Sequence, residues 1–243
     1  WLSTRFNVIV LEVLFFYNIV TASLFKPCDV HDMGCLSESA EKFLEQTSQG
    51  IAQYDVKPLD PLLIPSLDFV LDEESGIKMH FKNVNIVGFK KQKISNFVMN
   101  LDKKSVILTT KVNLNITGEL TVDTKDNIIL FLSFLFAATA GTSRYNYEIK
   151  TDDKGVEYFD VGPESISCEI SGEPVVTLSP EFQIRPSLKS VHSCLENKEN
   201  HNLNSAYRNK TLCKLIEVGY SVAIHNLRAV AKILPKSAFF IGL

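Results

Sequence analysis

Catalytic grammar is missing from this chain. No GxSxG elbow raises a serine nucleophile, and the closest string, Gly141-Thr142-Ser143-Arg144, lacks the second glycine that turns a strand sharply into a helix. There is no GxGxxG behind a strand and no GxxxxGK phosphate loop. The acid pairs Glu73-Glu74 and Asp152-Asp153 sit in turn-like stretches where solvation accounts for them. Zinc grammar is absent too: no two cysteines form CxxC, and His31, His80, His192, His201 and His225 form no HxxxH or CxxH arrangement. These absences argue against an enzyme, a bound metal and a cofactor. With 25 basic and 28 acidic residues the net charge is only −3, which provides no footprint for nucleic acid or an anionic membrane. Internal repeats and low-complexity tracts are lacking. The two longest apolar runs, residues 8–20 and 128–138, fall short of the ~20 residues a spanning helix needs.

What remains is a chain of 243 residues, 45% hydrophobic and 22% charged, close to the globular average and long enough for a sizeable core, even a hollow one. Residues 8–20 follow Arg5, are interrupted by Glu12 and Asn18, and lead into Val20-Thr21-Ala22. That pattern fits a signal peptide, residues 1–22, cut after Ala22 and truncated at its start; the competing reading, a membrane anchor, suffers from its length. Residues 23–243 then form one domain. Secretion places the cysteines in an oxidising compartment. Cys28 and Cys35 are natural partners by proximity, whereas Cys168 and Cys213 choose between each other and Cys194. Cys194 lies in a polar stretch without periodicity and is taken as the free thiol. Two sequons, Asn115-Ile116-Thr117 and Asn209-Lys210-Thr211, offer glycosylation sites, the first on a strand's polar face and the second just before a long helix.

Periodicity gives the outline of a fold. Leu36, Ala40, Phe43, Leu44 and Ile51, with charged residues between them and Gly50 as a stop, predict an amphipathic helix over 36–51. Pro58, Pro61 and Pro65 and the acidic residues after them predict an extended connection. Ile77, Met79 and Phe81 alternate with Lys78, His80 and Lys82 before the phase switches to Val84 and Ile86, which predicts a bulge at Asn83. Phe97, Met99 and Leu101 mark the next strand. In residues 106–122, Val106, Leu108, Val112, Leu114, Ile116, Leu120 and Val122 share one parity and polar residues the other, a strand that would reach ~55 Å and must coil around whatever its apolar face covers. Residues 209–234 hold only Gly219 and no proline, and their apolar residues cover more than one stripe, so they predict a long helix surrounded by protein. Residues 128–138 read as a strand buried on both faces, with an interfacial segment as the alternative, and 145–161 as a hairpin with its tip at Asp152-Asp153-Lys154-Gly155. A long helix wrapped by a curled antiparallel sheet, an α+β fold, is the simplest assembly.

Several strings stand in the order and spacing of the moth hemolymph juvenile hormone-binding proteins: Lys26-Pro27-Cys28, Cys35-Leu36-Ser37, Gln53-Tyr54-Asp55-Val56, Pro58-Leu59-Asp60-Pro61-Leu62 and Phe81-Lys82-Asn83-Val84-Asn85-Ile86. Further along come Ile94-Ser95-Asn96-Phe97, Arg144-Tyr145-Asn146-Tyr147, Gly172-Glu173-Pro174, Leu212-Cys213-Lys214 and a specific run from His225-Asn226-Leu227-Arg228 to Leu234-Pro235. Over nearly the whole mature length the chain resembles that family. The resemblance implies a long C-terminal helix in a highly curved antiparallel sheet, a short N-terminal helix as a lid over a hormone cavity, and disulfides Cys28–Cys35 and Cys168–Cys213. It also implies that Tyr145 hydrogen-bonds the hormone's epoxide, with Tyr147 a second candidate; a core tyrosine satisfied by backbone is the alternative. Leu114, Phe159, Ile224 and Phe239 are candidate wall residues that could equally fill a solid core. The chain departs from the family in the apolar stretch 128–138 and at Gly219, where those proteins often carry a helix cysteine.

The implied function is a secreted, extracellular, monomeric carrier that encloses a hydrophobic small molecule such as juvenile hormone without inserting into a membrane. A takeout-like carrier of another lipid or odorant is the nearest alternative. An immune module recognising membranes or lipopolysaccharide would need a basic or exposed apolar tip, and a hormone esterase would need a nucleophile motif.

Overall fold

The computed structural model describes residues 24–72, 77–123, 128–178 and 201–243. The expected signal peptide and Cys194 lie outside these residues.

The N-terminal helix α1 spans Met33–Thr47. Asp32 starts it by accepting a hydrogen bond from the Cys35 N–H at 3.0 Å, an ordinary N-cap. Leu36, Ser39, Phe43 and Thr47 form its buried stripe. The expected continuation to Ile51 fails: Gly50 has φ +80°, and a Cβ there would lie 2.8 Å from the Val56 carbonyl oxygen, so the chain turns where only glycine fits. Ahead of α1, Cys28 is bonded to Cys35 and zipped to the C-terminal tail, donating to the Phe239 carbonyl and accepting from Ile241 N–H.

Seven strands form one sheet, antiparallel throughout. They are β1 (Leu62–Asp72), β2 (Ile77–Val87), β3 (Lys93–Asn100), β4 (Ser105–Asp123), β5 (Ile128–Thr151), β6 (Glu157–Ile170) and β7 (Val175–Leu178). The order is β1-β2-β4-β5-β6, with β3 also on β4 and β7 also on β5. The long strands β4 and β5 are the spine, and each meets two partners in succession along its outer edge.

The proline-rich connection is in fact β1. It lies at the sheet edge, where Pro65, exposed, withholds no hydrogen bond from a neighbour. Leu62 and Ile64 point inward while Leu63 is 67% exposed, an alternation that the prolines disguised. The bulge at Asn83 is present: its φ is +51°, and the β2–β4 register shifts between Lys82 and Asn85. β3 stops at Asn100 and leaves Leu101 half-exposed in the turn. On β4 the inward parity holds, with Val106, Val112, Leu114, Ile116 and Leu120 all buried. Residues 128–138 and the first arm of the expected hairpin are one continuous strand, β5. The expectation that this stretch is buried on both faces rests mostly on side chains outside the described set; of the two described, Ala137 is fully buried and Ala138 is partly exposed. At the hairpin tip Asp152 accepts from the Lys154 and Val156 N–H groups, each at 2.9 Å, and Gly155 takes φ +79°.

The long helix α2 spans His201–Ala231 and so starts earlier than expected. It lies in the concave face of the sheet with Leu212, Leu215, Ile216, Tyr220, Ile224 and Val230 buried, whereas Lys214 reaches solvent. It is thus cradled on most of its circumference. Cys168–Cys213 ties it to β6. Lower down, Arg228 donates to the Val161 and Gly162 carbonyls and pairs with Glu164, which also accepts from Ser221. Burial pushes the Glu164 carboxyl up, but those two hydrogen bonds outweigh it and leave the carboxyl below its ordinary range. Among the described residues no helix is long and apolar enough to cross a membrane.

Two apolar clusters lie along α2. One gathers β1, β2, the middle of β4 and the upper part of α2; the other gathers α1, β3, the start of β4, the β5–β6 hairpin, the lower part of α2 and the tail. Phe89 and Tyr220, edge to face at 5.8 Å, stand near the boundary. Their rings occupy the space in front of two glycines: a Cβ on Gly219 would meet Phe89 Cζ at 2.0 Å, and one on Gly141 would meet Tyr220 Cζ at 2.1 Å. The departure at Gly219 thus has a packing reason, since any side chain there displaces Phe89.

Candidate ligand-binding site

The second cluster is hollow. A cavity of about 170 Å³ lies within it, more than ten times the ~10–15 Å³ that one water needs. Apolar cavities of roughly 150 Å³ stay dry and accept a benzene-sized molecule.

Its walls follow from the two periodicities of the backbone. Phe97 and Met99 on β3, Val106, Leu108 and Thr110 on β4, Tyr145 and Tyr147 on β5, and Phe159 and Val161 on β6 are alternate residues of one sheet face. Ala223, Ile224, Leu227 and Ala231 come from one face of α2, and Leu36, Ser39, Ala40, Phe43 and Leu44 from one face of α1. An aromatic stack closes the α1 side: Phe25 lies 4.5 Å from Phe43 and 4.8 Å from Phe239 between ring centroids. Phe159 meets Tyr147, Phe239 and Phe240 edge to face.

Of the wall residues expected from sequence, Tyr145, Tyr147, Phe159, Ile224 and Phe239 all line this one cavity. Leu114 does not. It is fully buried in the filled cluster, because it lies eight residues beyond Val106 on β4, about 26 Å along the strand, on the same face but at the other end. Sequence reasoning named none of the α1 residues individually, although the resemblance placed that helix over the cavity, and it missed Gln92, a polar side chain in a lysine-rich turn that carries no signal at all.

The polar groups are few. Tyr145 is 8% exposed and its hydroxyl bonds to no described residue; burial alone pushes its pKa far up, so it stays a neutral donor. The Tyr147 hydroxyl is also raised by burial, with the Lys104 ammonium working against it. Gln92 is buried and accepts from the Thr110 hydroxyl at 2.9 Å. No acid and no histidine lines the cavity, and the Lys26 ammonium is turned to Glu38 at 3.3 Å. Such a wall can enclose an apolar molecule and orient it through one or two donors.

Asn115 is exposed on the outer face of β4. Asn209, expected just before the helix, lies inside α2, half-buried, with its Oδ1 sealed from solvent.

Comparison with known proteins agrees with this geometry. Takeout 1 of Epiphyas postvittana shares the fold, with a TM-score of 0.67 over 88% of this chain and 98% of that one at 15% identity. The juvenile hormone-binding protein of Manduca sexta is 41% identical over 220 residues, 90% of this chain and 96% of that protein. Residues 8–161, ending at β6's inward-facing Val161, match the family described as haemolymph juvenile hormone binding protein, and with that match this chain belongs to that family.

Proposed function

We propose that this protein is a secreted, monomeric carrier that takes juvenile hormone into the cavity under α1. The observation that carries this reading is an apolar chamber whose wall includes Tyr145, its hydroxyl bonded to no described residue and held neutral by burial. Each fully enclosed methylene contributes ~0.8 kcal/mol, so a hormone-length chain is held by its walls and oriented by the hydroxyl, which donates to the epoxide oxygen. The helix α1, stapled by Cys28–Cys35, acts as the lid.

Titrating purified protein with radiolabelled juvenile hormone is expected to show saturable one-site binding. No saturation at micromolar hormone sinks the assignment, and saturable uptake of long-chain lipids in its place supports the broader takeout-like carrier. Tyr145→Phe keeps the ring and loses the donor, so Kd rises about fivefold, the worth of one hydrogen bond of ~1 kcal/mol. Because burial raises the hydroxyl, wild-type affinity stays level between about pH 6 and 9; a fall across that range, tracking tyrosine ionisation, contradicts the role.

Passage through the secretory pathway would glycosylate Asn115, which is open to solvent, in preference to Asn209, which is not. Protein from insect cells is expected to shift on a gel after glycosidase treatment, and Asn115→Gln to abolish the shift. Loss of the shift in Asn209→Gln instead would reverse the assignment.

A further inference from the structure

We infer that Gln92 is a second polar anchor, donating from its side-chain amide to an acceptor at the ligand end remote from Tyr145, so that the site selects an elongated apolar molecule with an acceptor oxygen at each end. The inference rests on the carrier reading and adds to it the chemistry of the far end.

Gln92 is 3% exposed, follows the 3-10 turn Phe89–Lys91 and lines the cavity. Its Oε1 is occupied by Thr110, but its Nε2 is buried with no hydrogen-bond partner among the described residues. Buried donors are nearly always paired in folded proteins, so one left open in the wall of a cavity points to a ligand acceptor. The amide is also held in place. Thr110, itself buried on β4, fixes the amide's orientation through the 2.9 Å bond to its Oε1.

Register sets the separation of the two anchors. Tyr145 pairs with Val106, and Thr110, beside Gln92, pairs with Gly141. Four residues of strand separate them, roughly 13 Å. An apolar chain with an oxygen at one end only would leave one donor open; an epoxide at one end and an ester carbonyl at the other would satisfy both.

The test is a cycle of two probes and two proteins: juvenile hormone methyl ester and the analogue in which an n-propyl group replaces its methyl ester, so that no oxygen remains at that end, each titrated into wild type and Gln92→Met. The expected result is that removing the ester oxygens weakens wild-type binding about fivefold but changes Gln92→Met by under about twofold. Equal saturable binding of both probes to wild type overturns the inference while the carrier reading stands, and this comparison needs no variant to fold. An equal loss in both proteins overturns it as well. Failure of wild type to bind either probe overturns the carrier reading and the inference with it.

Discussion

Ala223→Phe is expected to abolish hormone binding while the protein stays folded. Ala223 sits on the cavity face of α2, one helical turn from Tyr220 and Leu227, and is only partly buried because its methyl looks into the chamber. A phenyl ring placed there occupies much of a space of about 170 Å³. If it excludes the equivalent of four methylenes of ligand, the loss is about 3 kcal/mol, or more than a hundredfold in Kd. The helix itself has no reason to unfold, since the new ring fills a void rather than an occupied site. Binding by titration and melting by circular dichroism separate the two effects. Wild-type affinity in a folded Ala223→Phe protein places the ligand elsewhere and removes the cavity from the mechanism.

The second large effect is on stability. Cys168 on β6 and Cys213 on α2 close a loop with a sequence separation of 45, against 7 for Cys28 and Cys35. Chain-entropy arguments assign the longer loop about 4 kcal/mol and the shorter about 2.5 kcal/mol. The double variant Cys168→Ala/Cys213→Ala is therefore expected to lose about 4 kcal/mol of unfolding free energy, which lowers Tm by roughly 8–16 °C for a domain of this size. Removing Cys28 and Cys35 costs less globally and acts on the lid, so it shows as faster ligand release. Urea titration of both pairs checks the order. A larger stability loss from Cys28→Ala/Cys35→Ala would mean that the tie between the N-terminal segment and the tail, not that between helix and sheet, governs unfolding.

Much of this fold is legible in one dimension because its long elements are strongly periodic. The alternation on β4 reports a strand with one buried face, and the proline-free apolar run ahead of Pro235 reports α2. The bulge at Asn83 is written as a change of phase between Phe81 and Val84. Where competing signals overlap, the reading goes wrong: Pro65 hides β1, because a proline breaks a central strand but not an edge strand, and edge position is set by the rest of the sheet. The helix start at His201 is lost for a similar reason, since the polar first turns of α2 carry no apolar stripe.

For the candidate site, the alternation, the apolar helix and the family strings between them determine a curled sheet around a helix and the residues that face inward. Facing inward is all that period-2 and period-3.6 patterns encode. They cannot tell a filled core from a hollow one, because both put the same side chains on the same face. Leu114 and Tyr145 share that inward direction, yet one packs solidly against neighbours from β1, β2 and α2 and the other looks into open space. Only the tertiary structure decides this, through where α1 and the tail come to rest over the lower end of α2, and through Gln92, a buried amide whose meaning depends on neighbours far away in the chain.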